Sequence, residues 1–163
     1  MTNPEPQAEH RWLNQLVGEW AWEMDAQMEA PAGSDQPPTK HTGTESVKSL
    51  GVWVMCHGTQ AMADGQPGLT VMTIGFDTTK KKFVGSFIGS MMTHQWLYEG
   101  ELDAAGKVLT LNADGPSFTD PTKTTKYQDK IEVVSADHRI LTSQALGDDG
   151  NWVQFMTAHY RRK

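Results

Sequence analysis

The spacing of apolar positions in this chain changes at Gly18. Before it, His10, Trp12, Leu13, Leu16 and Val17 recur three and four residues apart. After it, Trp20, Trp22, Met24, Ala26 and Met28 alternate with Glu19, Ala21, Glu23, Asp25 and Gln27. Spacings of three and four, then of two, predict one or two helical turns feeding a long strand. Glycine at the junction permits a sharp turn or a close backbone approach.

The remainder reads as strands separated by turns. Residues Ala30 to Lys40 hold Pro31, Gly33, Pro37 and Pro38 and predict a loop. Strands are expected at Gly43–Leu50, Val52–Ala61, Gly68–Asp77, Lys82–Ser90, Thr93–Leu102, Lys107–Asn112, Lys123–Ser135, Arg139–Ala145 and Asn151–Arg162. The breaks between them, such as Ala63-Asp64-Gly65, Asp103-Ala104-Ala105-Gly106, Ala113-Asp114-Gly115-Pro116 and Gly147-Asp148-Asp149-Gly150, have hairpin-turn chemistry. With the first strand this makes about ten strands and a single short N-terminal helix. Successive hairpins predict an all-β, antiparallel up-and-down sheet, and closing it into a barrel removes its edges.

At 163 residues the chain is expected to form one domain, residues 10–163, behind a disordered tail at residues 1–9. The formal net charge of −6 argues against nucleic acid, which is bound through clustered Lys and Arg. The basic clusters Lys80-Lys81-Lys82 and Arg161-Arg162-Lys163 read as a turn and a solvated chain end. One cysteine, Cys56, excludes an intrachain disulfide. It is not expected to be a nucleophile, because neighbours on a strand face opposite ways and His57 cannot readily activate it. No signal peptide is visible, and no apolar run approaches the roughly 20 residues of a membrane helix. The expectation is a cytoplasmic protein with no membrane partner.

Several pieces carry a family resemblance. They are His10, Leu13 and Leu16 with Gly18-Glu19-Trp20, then Leu50-Gly51-Val52-Trp53, Thr73-Ile74-Gly75-Phe76-Asp77, Lys82-Phe83-Val84-Gly85, Tyr98-Glu99-Gly100, Leu109-Thr110-Leu111 and Tyr160-Arg161-Arg162. In order and spacing the chain resembles the bacterial DUF1579 family of uncharacterised proteins, grouped with the calycin (lipocalin-like) barrels. The Gly-x-Trp opening of the first strand is shared with those barrels. One departure is Val52, where many such chains place a second glycine. The resemblance implies a fold and supplies no activity.

A barrel interior receives alternate residues from each strand. The apolar face of the first strand, Trp20, Trp22, Met24 and Met28, is taken as inward. Matching faces are Trp53, Met55 and His57; Thr70, Met72, Ile74 and Phe76; Phe83, Gly85, Phe87 and Gly89; His94, Trp96 and Tyr98; and Trp152, Gln154, Met156, Ala158 and Tyr160. β-Bulges are expected at Gly85 or Gly89. Aromatic walls with a few polar groups build small-molecule pockets, and Met adapts to irregular ligands. The expected ligand-binding residues are therefore Trp22, Met24, Met55, His57, Phe87, His94, Trp96 and Tyr98.

Catalytic residues, metal and cofactor are all expected to be none. Neither His-x-His, His-x-x-x-His nor Cys-x-x-Cys occurs. Nitrobindin-type haem barrels resemble this architecture and use a histidine near the chain end. Here His159 falls on the opposite face from Met156 and Tyr160, and Trp22 replaces the second glycine of their opening. Carboxylates Glu23, Glu45, Glu99 and Glu101 have no fixed spacing, and alternating charge on a strand is usually its wet face. The function expected is binding of an apolar or aromatic small molecule inside the barrel. Two alternatives stay open: an enzyme acting through His94 or His57 in that cavity, and a structural or dimerising barrel with a filled interior. A homodimer is the protein partner considered.

Overall fold

A computed structural model describes residues 1–26 and 39–163 of the chain. These residues form one helix, α1 (Ala8–Asn14), and ten strands. These are β1 (Gly18–Ala26), β2 (Thr39–Leu50), β3 (Trp53–Ala61), β4 (Pro67–Asp77), β5 (Lys82–Gly89), β6 (Trp96–Leu102), β7 (Val108–Pro116), β8 (Thr124–Ser135), β9 (His138–Leu146) and β10 (Trp152–Arg162). Each strand pairs antiparallel with its sequence neighbours, and β1 pairs with β10 to close the barrel. Meandering order and closure are what repeated hairpins with no spare edge require.

Several expected boundaries move, among them the start of β6, which falls at Trp96 and not Thr93. The helix begins at Ala8, two residues ahead of His10. The Pro-rich stretch, as far as residue 38, lies outside the described residues, as does Met28; Thr39 and Lys40 already belong to β2. Ala113-Asp114-Gly115-Pro116 does not break the chain but completes β7. The true turn follows it, where Asp120 accepts from Thr122 N–H and its carbonyl from Lys123 N–H.

Helix α1 plugs one end of the barrel because its apolar stripe matches the opening. Leu13 and Leu16 are fully buried there. His10 fixes the docking: Gln7 N–H donates to its Nδ1 at 2.9 Å, so its Nε2–H donates to the Phe76 carbonyl at 3.0 Å. Trp12 Nε1–H donates to the Gly106 carbonyl at 2.7 Å in the β6–β7 turn.

Trp20 lies above the plug with 1% of its surface exposed. Its Nε1–H donates to the Leu16 carbonyl at 2.9 Å. The indole is flanked by two guanidinium groups, Arg162 at 4.2 Å and Arg139 at 4.8 Å from the ring centre. Arg162 donates to the carbonyls of Gln15, Val17 and Ala136, tying the helix end to the β8–β9 turn. Gly18 is required beneath it: φ is +138°, and a Cβ there would overlap the Arg162 guanidinium.

Truncating this anchor is expected to be severe. Trp20→Ala removes a fully buried aromatic from a site that relaxes only partly, a loss of about 3–5 kcal/mol. For a chain of this size the melting temperature falls by on the order of 10 °C. A variant melting within a degree or two of the parent contradicts this role for Trp20.

Candidate functional site

Above the plug the barrel encloses a cavity of 360 Å³. Antiparallel order puts the β3–β4, β5–β6, β7–β8 and β9–β10 connections at the end opposite α1. Met91, Met92 and Phe118 from two of those connections line the cavity and are exposed. This end is therefore the mouth.

The walls are apolar and aromatic. Trp22, Met24, Phe87, Trp96 and Tyr98 all line the cavity. Two of these rings lie flat against the wall because glycine leaves room for them. Gly43, paired with Trp22 across β1–β2, and Gly115 under Trp96 would each overlap the indole if they carried a Cβ. Trp96 Nε1–H donates to the Met92 sulfur at 3.3 Å. Trp96, Tyr127, Phe118 and Phe155 meet edge to face, with centroids 4.8–5.5 Å apart in successive pairs.

Three expected site residues do not line the cavity. Met55 and His57 lie on the outer side of β3, while Val54 and Cys56 are buried and Cys56 and Gly58 line the cavity. Both faces of β3 are apolar, and bulk alone misassigns them. Trp53 has its own place outside, lying over Gly75 of β4. His94 stands in the connection before β6, its Nε2 within 3.2 Å of the Asp114 carbonyl and its ring edge-on to Trp96. It belongs to the outer rim.

On β10, the expected inward positions of Trp152 and Gln154 are also corrected. A bulge between Gln154 and Met156 turns Phe155 into the cavity and leaves Trp152 and Gln154 exposed. The second irregularity lies between Val133 and Ser135, so neither falls at Gly85 or Gly89. His159 is absent from the cavity lining; its Nδ1 is 3.0 Å from His138 Nε2.

The floor is polar, and the sequence reading did not assemble it. Asp129 on β8 accepts from Tyr98 Oη–H and Ser143 Oγ–H, each at 2.5 Å. Arg139 on β9 reaches across the barrel to Glu45 on β2 and lies over the Tyr160 ring, 3.9 Å from its centre. Arg139 and Ser143 are buried at 4% and 5% exposure. Asp129 retains some accessible surface and lines the cavity.

Enclosure raises the pKa of Asp129, because burial penalises the charged carboxylate and the two hydroxyl donors offset this only in part. Burial also raises the Tyr98 hydroxyl, with the nearby Asp129 charge and hydrogen bond adding to it. The Cys56 thiol is pushed up by burial and by Glu45, so it stays protonated and poorly nucleophilic at neutral pH. Among the described residues no group of three metal-ligating side chains converges. No helix among them is long and apolar enough to cross a membrane.

The chain belongs to the DUF1579 family, described as proteins of unknown function, whose model matches residues 5–162. No curated protein matches it. Among solved structures it is similar to Rv2717c from M. tuberculosis, with a TM-score of 0.63 and 14% identity over 98% of this chain and 99% of that one. It is also similar to a redesigned β-barrel, b11L5F_LGL, with a TM-score of 0.50 and 12% identity over 94% and 96% of the two chains. At such identities the likeness is one of fold.

The raised Asp129 pKa has a signed consequence. A carboxyl whose folded value lies above its unfolded one, about 3.9, contributes stability that is full below the unfolded value. That contribution is lost as pH rises through the folded value. Asp129→Asn keeps an acceptor and removes the titration. Relative to the parent, its melting temperature is expected to improve as pH rises from about 4 toward 8. A difference that stays constant over this range, or shrinks with rising pH, contradicts the assignment.

Proposed function

We propose that the protein holds an apolar or aromatic small molecule inside its barrel, as a binding protein and not as a catalyst. The observation that carries this reading is the unfilled 360 Å³ cavity with its aromatic and methionine walls. Ligand sites are typically concave, apolar and roughly 300–1,000 Å³, with a few polar groups fixing orientation. A barrel whose purpose was purely structural would be expected to fill its centre with its own side chains. The catalytic reading through His57 or His94 loses its support, since neither lines the cavity. A cytoplasmic setting is proposed with it, on the single cysteine kept as a buried thiol.

Trp22 and Trp96 make binding observable. Titration with the neutral fluorophore N-phenyl-1-naphthylamine is expected to give saturable quenching of tryptophan emission together with enhanced probe emission. Ala158 lines the same wall, and Ala158→Phe is expected to fill the cavity and weaken the probe at least tenfold, about 1.4 kcal/mol. Circular dichroism should show the fold retained. No saturable binding to the parent protein, or equal affinity in a folded Ala158→Phe variant, rules the reading out.

A further inference from the structure

We propose that the cavity selects ligands whose apolar or aromatic body ends in a protonated amine, seated on the floor beside Asp129 and Glu45. This rests on the cavity-binding reading above and adds the chemistry of the ligand's polar end.

The inference comes from counting what the floor leaves unused. Two of its hydroxyl donors are committed: Tyr98 and Ser143 both give their protons to Asp129. Each Asp129 oxygen therefore receives one of these bonds, and a carboxylate oxygen has room for two. Glu45 receives Arg139 through one oxygen, Oε1. Arg139 Nε is the one buried side-chain donor without a partner among the described residues. Asp129 and Glu45 both line the cavity and keep open acceptor positions, which suits a ligand end rich in N–H.

Charge points the same way. Two carboxylates share the floor with one guanidinium, and that guanidinium is already paired with Glu45. Among the described residues no cation pairs with Asp129. A carboxyl enclosed in an apolar barrel without a counter-charge is costly, and its pKa is raised accordingly. A ligand ammonium supplies the missing charge. A ligand carboxylate would instead approach the Asp129 and Glu45 carboxyls, beside an Arg139 whose charge is already paired with Glu45. Aromatic faces strengthen the preference, because a cation entering past Trp22 and Trp96 gains from their π-systems.

The test uses three probes with one body: 4-phenylbutylamine, 4-phenylbutan-1-ol and 4-phenylbutyrate. Each is titrated calorimetrically into the parent protein, Asp129→Asn and Glu45→Gln at pH 7.5. For the parent, the amine is expected to bind at least tenfold more tightly than the alcohol, and the carboxylate most weakly. Asp129→Asn is expected to bring amine and alcohol to within about threefold, while alcohol affinity holds. Glu45→Gln serves as the second variant if Asp129→Asn does not fold, and should reduce the same ratio. Alcohol binding as tightly as the amine, or amine preference intact in both folded variants, overturns the amine assignment while the cavity reading stands. Failure of all three probes in a protein that binds N-phenyl-1-naphthylamine overturns the amine assignment alone, and failure of that fluorophore as well overturns both.

Discussion

The structure depends on the packing of Trp20 between two arginines. The indole closes the plugged end, and the guanidinium groups of Arg162 and Arg139 stand within 5 Å of its ring centre. Arg162 converts that contact into closure of the chain. It sits on the last strand, beside the first, and its donors reach the helix end and the β8–β9 turn. Exposed ion pairs contribute little to stability, but hydrogen bonds from a charged donor to carbonyls that would otherwise be unsatisfied contribute more. The second arginine leads inward. Arg139 joins the fold anchor to the cavity floor, since the group beside Trp20 also pairs with Glu45 and covers Tyr160. Altering Arg139 would disturb fold and site together. Asp129, two strands from β10, separates the two more cleanly.

Much of the architecture was legible in the sequence because the hairpin signals were redundant. Asp-Gly and related turns recur at intervals that match strand lengths, and the switch of period at Gly18 marks the plug and the first strand. Trp22, Met24, Phe87, Trp96 and Tyr98 followed from alternation alone. β3 did not, because Trp53 and Met55 on one face compete with Val54 and Cys56 on the other. Only the partners decide: Gly75 outside receives Trp53, and the interior takes the smaller set. The β10 bulge was equally hidden, since one unpaired residue has no composition signal.

The floor was missed for a different reason. Asp129, Arg139, Ser143 and Glu45 look like members of wet faces when each strand is read for its charges. Their neighbours two residues away say otherwise. Asp129 stands between Tyr127 and Ile131, Arg139 and Ser143 flank Leu141, and Glu45 precedes Val47 by two. Tyr127, Ile131 and Val47 are buried, and Ile131 and Leu141 line the cavity. A polar residue inside an apolar period-two series is an interior polar residue, and interior polar residues need partners. Pairing Asp129 with Tyr98 and Ser143, and Arg139 with Glu45, is how this barrel meets that requirement.

The cavity persists because its largest walls are held back. An interior with this many aromatic rings has enough volume to collapse on itself, and protein cores ordinarily pack to crystal density. Here Trp22 and Trp96 are drawn against the barrel by Gly43 and Gly115, where any side chain would push them toward the axis. Trp96 is fixed further by the Met92 sulfur and by the edge of Tyr127, whose hydroxyl donates to the Pro116 carbonyl at 2.5 Å. Each constraint acts at the wall and none fills the centre. The cavity volume is thus set by local choices of residue, Gly43 and Gly115 foremost.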